Sequence, residues 1–61
     1  MTFDFAQQSI HALAWMDGRG YNRSTYQMLR GNDTVWIAFN GGLSMYLRFD
    51  AEGAMILHQV D

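Results

Sequence analysis

Cysteine, proline and lysine are all absent from this 61-residue chain. Without cysteine there is neither a disulfide framework nor a Cys-based zinc site to stabilise so short a sequence. A domain of about 60 residues buries only about 60% of the surface that its unfolded chain exposes, so its own core is marginal. We therefore expect an aromatic-rich core, self-association or a partner protein to supply additional stability.

Basic residues are also scarce, with four arginines against six acidic residues and a formal net charge of −2. This balance argues against binding to nucleic acid or membranes through charge alone, although it is compatible with a local basic patch. No apolar run approaches the roughly 18 residues that a membrane span needs. The first residues, 1–4, include an acid where a secretory signal is basic. From these features we expect a soluble, cytoplasmic protein.

Motifs for catalysis and metal binding are missing as well. There is no cysteine nucleophile and no Walker-type phosphate loop, and Gly18-Arg19-Gly20 lacks the third glycine of a dinucleotide fingerprint. The two histidines, His11 and His58, have no second metal ligand at a motif spacing. We therefore expect no enzymatic activity, no metal and no cofactor.

Helical periodicity is present near the start of the chain and predicts a helix over about residues 5–16. Asp4 is the expected N-cap, with Gln7 at the capping-box spacing, and Gly18 is the expected stop. We expect the core-facing arc of this helix to consist of Phe3, Ala6, Ile10, Leu13 and Ala14, widened by Phe5, Ala12 and Met16.

The rest of the chain is rich in β-branched and aromatic residues and is divided by glycine-containing turns. After a loop over residues 17–24, the predicted strands are residues 25–30, 34–39, 43–49 and 54–60. These elements predict a single α+β domain covering residues 1–61. An amphipathic helix would pack on one face of a four-stranded antiparallel β-meander, as a two-layer sandwich.

Turn length decides which side chains share a face, because opposed residues of antiparallel strands point the same way. We expect a two-residue Gly31-Asn32 turn, a three-residue 40–42 loop, and a 50–53 turn closed by Gly53 with positive φ. The last of these pairs Leu47 with Leu57. Together the registers predict one apolar core face: Tyr26, Met28, Val35, Ile37, Phe39, Leu43, Met45, Leu47, Phe49, Met55 and Leu57.

The opposite sheet face is left uncovered, since the chain has only one helix. Tryptophan, tyrosine and arginine are the residues most enriched at binding hot spots. We predict that partner-binding residues on this face are Trp36, Tyr46, Arg48 and His58, with Leu29 and Ile56 as an apolar rim.

Three interpretations of this face remain open. In the first, the face holds only a cross-strand aromatic pair that stabilises the sheet or is covered by the 17–24 loop. In the second, it is an interface for a protein partner or for a second copy in a homodimer, and in the third it is a stacking platform for single-stranded nucleic acid. The protein interface is preferred, because no run of basic, glycine and aromatic residues typical of RNA-binding sheets is present. The expected function is a small non-enzymatic interaction module, such as a bacterial or phage accessory or inhibitor protein.

A smaller second surface is predicted on the helix, where His11 and Trp15 form an i, i+4 pair opposite the apolar arc. Trp15 either packs under the 17–24 loop, with His11 solvated, or anchors a partner while His11 modulates the contact near neutral pH.

Overall fold

The computed structural model describes residues 3–61, which form one helix packed on a four-stranded antiparallel sheet. The elements are α1 (Phe5–Gly18), a short 3-10 helix (Arg23–Thr25), β1 (Tyr26–Arg30), β2 (Val35–Phe39), β3 (Ser44–Phe49) and β4 (Met55–Val60). The strands follow the order β1-β2-β3-β4 across the sheet, so each pairs with the next along the chain. The predicted α+β fold is confirmed, and each strand begins one residue later than expected.

Helix α1 begins as predicted and ends slightly later. Asp4 is the N-cap in an extended conformation, and its carboxylate accepts a hydrogen bond from the Gln7 N–H at 3.3 Å. The helix continues through Gly18, and the positive φ that ends it, +83°, is at Gly20. Gly18 is therefore not the stop that the sequence predicted. Within residues 3–61, no helix combines the length and apolar character needed to cross a membrane.

The buried face of α1 differs from the one that the periodicity predicted. Ala12 and Met16 are fully buried against the sheet, whereas Ile10 is 68% exposed and Ala6 and Ala14 are exposed. At 100° per residue, the helix is rotated by roughly a third of a turn from the expected orientation. Three of the five residues of the predicted core arc are thus exposed and Phe3 and Leu13 are half-buried, whereas the residues assigned to its margin face the sheet.

Gln8 is one physical reason for this orientation. Its side-chain amide donates a hydrogen bond to the Phe49 carbonyl at 2.7 Å and accepts one from the Phe49 N–H at 2.9 Å. Phe49 lies beyond Leu47, the last residue of β3 that pairs with β2. Gln8 therefore supplies the two hydrogen bonds that a neighbouring strand would otherwise provide. The polar side of the helix is therefore held against the end of β3.

The core lies between α1 and the central strands, as predicted, but with fewer members. Leu43 was expected in it and is instead 65% exposed in the β2–β3 turn. That turn has the predicted register, with Val35 opposite Leu47 and Ile37 opposite Met45. The buried core residues are Ala12, Met16, Tyr26, Val35, Ile37, Met45, Leu47 and Phe49.

The β1–β2 turn is displaced by one residue from the expected position. The Gly31 N–H donates to the Thr34 carbonyl at 2.9 Å, so the two turn residues are Asn32 and Asp33, and Asp33 has a φ of +56°. Met28 is therefore opposite Ile37 rather than Val35. Because the pairing changes by two residues, every side chain stays on its predicted face.

The β3–β4 pairing contains a bulge that changes the faces of β4. Phe49 is opposite Met55 as predicted, but Arg48 is opposite Leu57, which leaves Ile56 unpaired. From that point the register is shifted by one residue, and Leu47 is opposite His58 rather than Leu57. A one-residue shift moves each following side chain to the other face. The predicted placement of Leu57 in the core and of His58 on the uncovered face is therefore wrong.

Candidate functional site on the uncovered sheet face

The sheet face that α1 does not cover has an aromatic pair at its centre. Trp36 of β2 and Tyr46 of β3 are directly opposed, with ring centroids 6.4 Å apart and ring planes inclined by 18°. They point away from α1, because strand side chains alternate and their neighbours Val35, Ile37 and Leu47 are fully buried on the helix side. The predicted placement of Trp36 and Tyr46 together on the uncovered face is confirmed.

The aromatic pair lies in a row that crosses all four strands. Leu29 of β1 is opposite Trp36, and Gln59 of β4 is opposite Tyr46. Leu29 is 37% exposed, as expected for a rim residue, and Gln59 is exposed. The indole Nε1 of Trp36 is buried and has no hydrogen-bond partner within residues 3–61. The row thus presents a broad apolar centre between two more accessible ends.

Arg48 and Leu57 form the next row of the face. They are opposite each other on β3 and β4, which places Arg48 on the uncovered side as predicted. The Arg48 guanidinium lies 5.9 Å from the ring of Phe3, near the start of α1. Ile56, the unpaired bulge residue, is 60% exposed and lines the same depression as Arg48 and Phe3. Ile56 is therefore a rim residue at this end of the sheet.

His58 is not part of this face. Its imidazole packs against Trp15 of α1, with ring centroids 5.3 Å apart, on the helix side of the sheet. The Arg19 guanidinium covers the Trp15 ring from outside, 4.6 Å from its centroid. The predicted grouping of His58 with Trp36 and Tyr46 is wrong, because the bulge at Ile56 turns His58 towards the helix.

Two residues of the face, Leu57 and Gln59, were missed by the sequence reasoning. They line a shallow depression of about 230 Å³ beside Tyr46, together with Asn32 and Thr34. The run Met55-Ile56-Leu57 carried a signal for them. Three consecutive apolar residues do not show the alternation of apolar and polar side chains that a regular strand with one covered face has. Such a run at the start of a strand is compatible with a bulge, which would have returned Leu57 to the uncovered side.

The second predicted surface, His11 and Trp15, is largely used for packing inside the chain. Both side chains are only partly exposed. The His11 ring lies 6.0 Å from that of Phe49, and a Cβ added at Gly53 would meet His11 Nδ1 at 2.9 Å. His11 is therefore packed beneath the β3–β4 turn rather than solvated, and Trp15 is covered by β4 and Arg19.

Charged groups are sparse around the aromatic pair. Arg48 is the only charged residue among the β1–β4 strand residues that point to the uncovered side.

The ion pair between Asp17 and Arg23 lies at the end of α1, and the hydrogen bonds from Arg23 lower the pKa of Asp17 from its ordinary value. On the helix side, burial raises the pKa of the Tyr26 hydroxyl, which has no hydrogen-bond partner in residues 3–61.

Nothing in the described part of the chain, residues 3–61, groups three His, Asp or Glu side chains closely enough to hold a metal ion. Comparison with protein-family models, curated proteins and solved structures finds no match to this chain. Its function must therefore be inferred from its own geometry and chemistry.

Proposed function

We propose that the protein is a small non-enzymatic interaction module that binds a protein partner through the uncovered sheet face. The observation that supports this most strongly is the Trp36–Tyr46 pair, which is flanked by Leu29 and Leu57 on a face that no helix or strand of residues 3–61 covers. Large aromatic side chains with apolar neighbours are the typical centre of a protein interface, because their burial removes much apolar surface from water at a low entropic cost.

The surroundings of the aromatic pair fit a protein partner better than a nucleic acid. A protein that binds single-stranded nucleic acid combines stacking aromatics with a positively charged groove. Here the cation among the strand residues of the face is Arg48. Arg30 belongs to the helix side by strand alternation, and its guanidinium lies 5.3 Å from the Phe3 ring, at the end of the sheet rather than beside the aromatic pair. The polar residues around the centre are neutral, namely Gln27, Thr34, Ser44 and Gln59.

The mechanism of binding would be desolvation of the aromatic centre, with one directional charge contact at its margin. Trp36 and Tyr46 supply the apolar area, and Arg48 binds a carboxylate of the partner through paired hydrogen bonds. The protein would act by occluding or bridging the partner surface that it covers.

Site-specific photocrosslinking tests this proposal. A photoreactive amino acid at Gln27 or Ser44, which lie at the margin of the face, is expected to capture the same partner in the cells that produce the protein. The same group at Gln7, exposed on the helix, is the positional control. The crosslink should be lost in the Trp36→Ala background and retained in Ile10→Ala, which removes an exposed apolar side chain from the opposite layer.

Two results would contradict the proposal. One is a partner captured equally from Gln7, or captured in spite of Trp36→Ala, since the contact would then lie elsewhere. The other is quenching of Trp36 fluorescence in a Trp15→Phe background by short single-stranded oligonucleotides, with affinity that falls steeply with salt. That outcome would favour the nucleic-acid interpretation of the same face.

A further inference from the structure

Strand β4 is an open edge of the sheet with unpaired main-chain groups. The Asp61 N–H donates to the Ser44 carbonyl at 2.9 Å, so residue 61 is in a hydrogen-bonded position opposite β3. In an antiparallel ladder such positions alternate, which directs the N–H and C=O groups of Gln59 towards β3 and those of His58 and Val60 outwards. No hydrogen bond to these outward groups occurs within residues 3–61.

The composition of β4 does not protect this edge. Met55–Val60 contains neither a charged residue nor a proline, and Val60 is 66% exposed. Exposed edges normally carry lysine, other charges, proline or a bulge, which prevent pairing with another chain. The bulge of β4 lies at Ile56, before residues 57–60, which pair regularly with β3. The opposite edge, β1, ends in the exposed cation Arg30. Of the two edges, β4 is the one whose sequence permits strand addition.

We propose that two copies of the chain pair through β4 in antiparallel orientation, forming one eight-stranded sheet. A two-fold axis at Gln59 matches the outward groups, because His58 of each copy then exchanges two hydrogen bonds with Val60 of the other. Gln59 meets its own symmetry mate on the uncovered side. Opposed residues in antiparallel strands share a face, so both Trp36–Tyr46 pairs lie on the same side of the joined sheet.

The size of the uncovered face supports a second copy of the chain as the partner that pairs with β4. This argument from area rests on the proposed function. Four strands about 4.8 Å apart and about 18 Å long present roughly 350 Å². A stable protein interface buries about 800 Å² on each partner. Pairing through β4 joins two faces into one surface of roughly 700 Å², close to the area that stable binding needs.

Cysteine crosslinking tests the pairing directly, because the chain has no cysteine of its own. Gln59→Cys should form a disulfide-linked dimer under mild oxidation, since directly opposed residues at a non-hydrogen-bonded position have Cα atoms about 4.5 Å apart. Gln27→Cys is the matched control, as it replaces another exposed glutamine on the same face at the β1 edge. Equal crosslinking of the two variants, or none by Gln59→Cys, would overturn the proposal.

Val60→Pro tests the hydrogen bonds themselves. It removes an outward N–H that β3 does not use, and by symmetry it removes two hydrogen bonds from the dimer. We expect the dimer dissociation constant, measured by analytical ultracentrifugation, to rise at least about tenfold, whereas Val60→Thr, which keeps the N–H, leaves it nearly unchanged. If Val60→Pro does not fold, N-methylation of Val60 in the synthetic chain removes the same donor and must give the same loss.

Trp36→Ala separates this inference from the proposed function. Edge pairing predicts that Trp36→Ala still dimerises and that Gln59→Cys crosslinks in this background. A dimer that Trp36→Ala abolishes would be two copies stacked face to face, which would overturn pairing through β4. A monomeric wild-type chain at all concentrations would also overturn it, while partner capture from Gln27 and Ser44 would still support the proposed function.

Discussion

The two faces of the sheet are built from the same strands but differ in what their side chains contact. On the helix side, Val35, Ile37 and Leu47 are fully buried beneath α1. On the other side, Trp36 and Tyr46 are only partly buried and stack on each other. Strand alternation therefore gives the two faces different surroundings: one is buried beneath α1, and the other presents large, partly exposed side chains.

Substitutions at two consecutive residues of β3 should separate the faces most clearly. Leu47→Ala removes a fully buried side chain and should lower the free energy of unfolding by about 3 kcal/mol. Tyr46→Ala acts on the uncovered face and should lower it by about 1 kcal/mol or less, the value of a lost cross-strand pair. Urea unfolding followed by circular dichroism measures both. Equal losses would mean that the two faces contribute equally to stability.

The hydrogen bonds of Gln8 are expected to give the next largest effect. Gln8→Ala leaves the N–H and C=O of Phe49 without their partners, and should lower the free energy of unfolding by about 2 kcal/mol. Gln7→Ala, its exposed neighbour on α1, is the control and should change it by less than about 0.5 kcal/mol. If the two variants unfold at the same urea concentration, Gln8 does not hold the helix to β3.

Tyr26 should make stability on the covered face depend on alkaline pH. Burial raises the pKa of its hydroxyl above the ordinary value of 10.0, so the unfolded chain loses this proton first as the pH rises. The contribution of this pKa difference to the free energy of unfolding is therefore fully present below about pH 10. It is lost as the pH rises towards the pKa of Tyr26 in the folded chain. Tyr26→Phe should reduce this loss, and should raise the free energy of unfolding at pH 7 by about 1 kcal/mol, since it removes a buried hydroxyl without a partner.

Urea unfolding at pH 7 and pH 10.5 tests the Tyr26 prediction. A Tyr26→Phe variant that is less stable than the wild type at pH 7 would show that the hydroxyl makes a stabilising contact.

Deletion of Ile56 should have the smallest effect. Without this unpaired residue, Phe49–Met55, Arg48–Leu57 and Leu47–His58 become consecutive pairs of a regular ladder. We expect the free energy of unfolding to change by less than about 1 kcal/mol, with Leu57 still on the uncovered face. The NMR contacts between the Trp15 and His58 rings report the arrangement. Their loss in a folded variant would show that Ile56 is not simply an extra residue that the bulge accommodates.

The parts of the fold that the sequence predicted correctly are those where alternation was unambiguous. The β2–β3 hairpin has apolar residues in opposed pairs, and only one turn length keeps them on one face. In β4, the apolar run Met55-Ile56-Leu57 fits either face, and a bulge at Ile56 decides between them. His58 was therefore placed with Trp36, while Leu57 and Gln59 were missed.

The helix face was mispredicted for a related reason. Helix α1 has two apolar arcs, and the one centred on Ile10 is the more continuous in sequence, although Ile10 is exposed. One contact that favours the other arc is the pair of hydrogen bonds between Gln8 and the main chain of Phe49, 41 residues away. A contact between a side chain and a distant backbone leaves no periodic signal in the sequence.

The affinity of Trp36→Ala for the protein captured from the uncovered face measures how much this face contributes to binding. Isothermal titration calorimetry would measure it beside urea unfolding of the same variant. We predict roughly 30-fold weaker binding, which corresponds to about 2 kcal/mol at a hot spot, while the free energy of unfolding falls by about 1 kcal/mol or less. Unchanged affinity in a folded Trp36→Ala variant would contradict the assignment of the uncovered face as the binding surface.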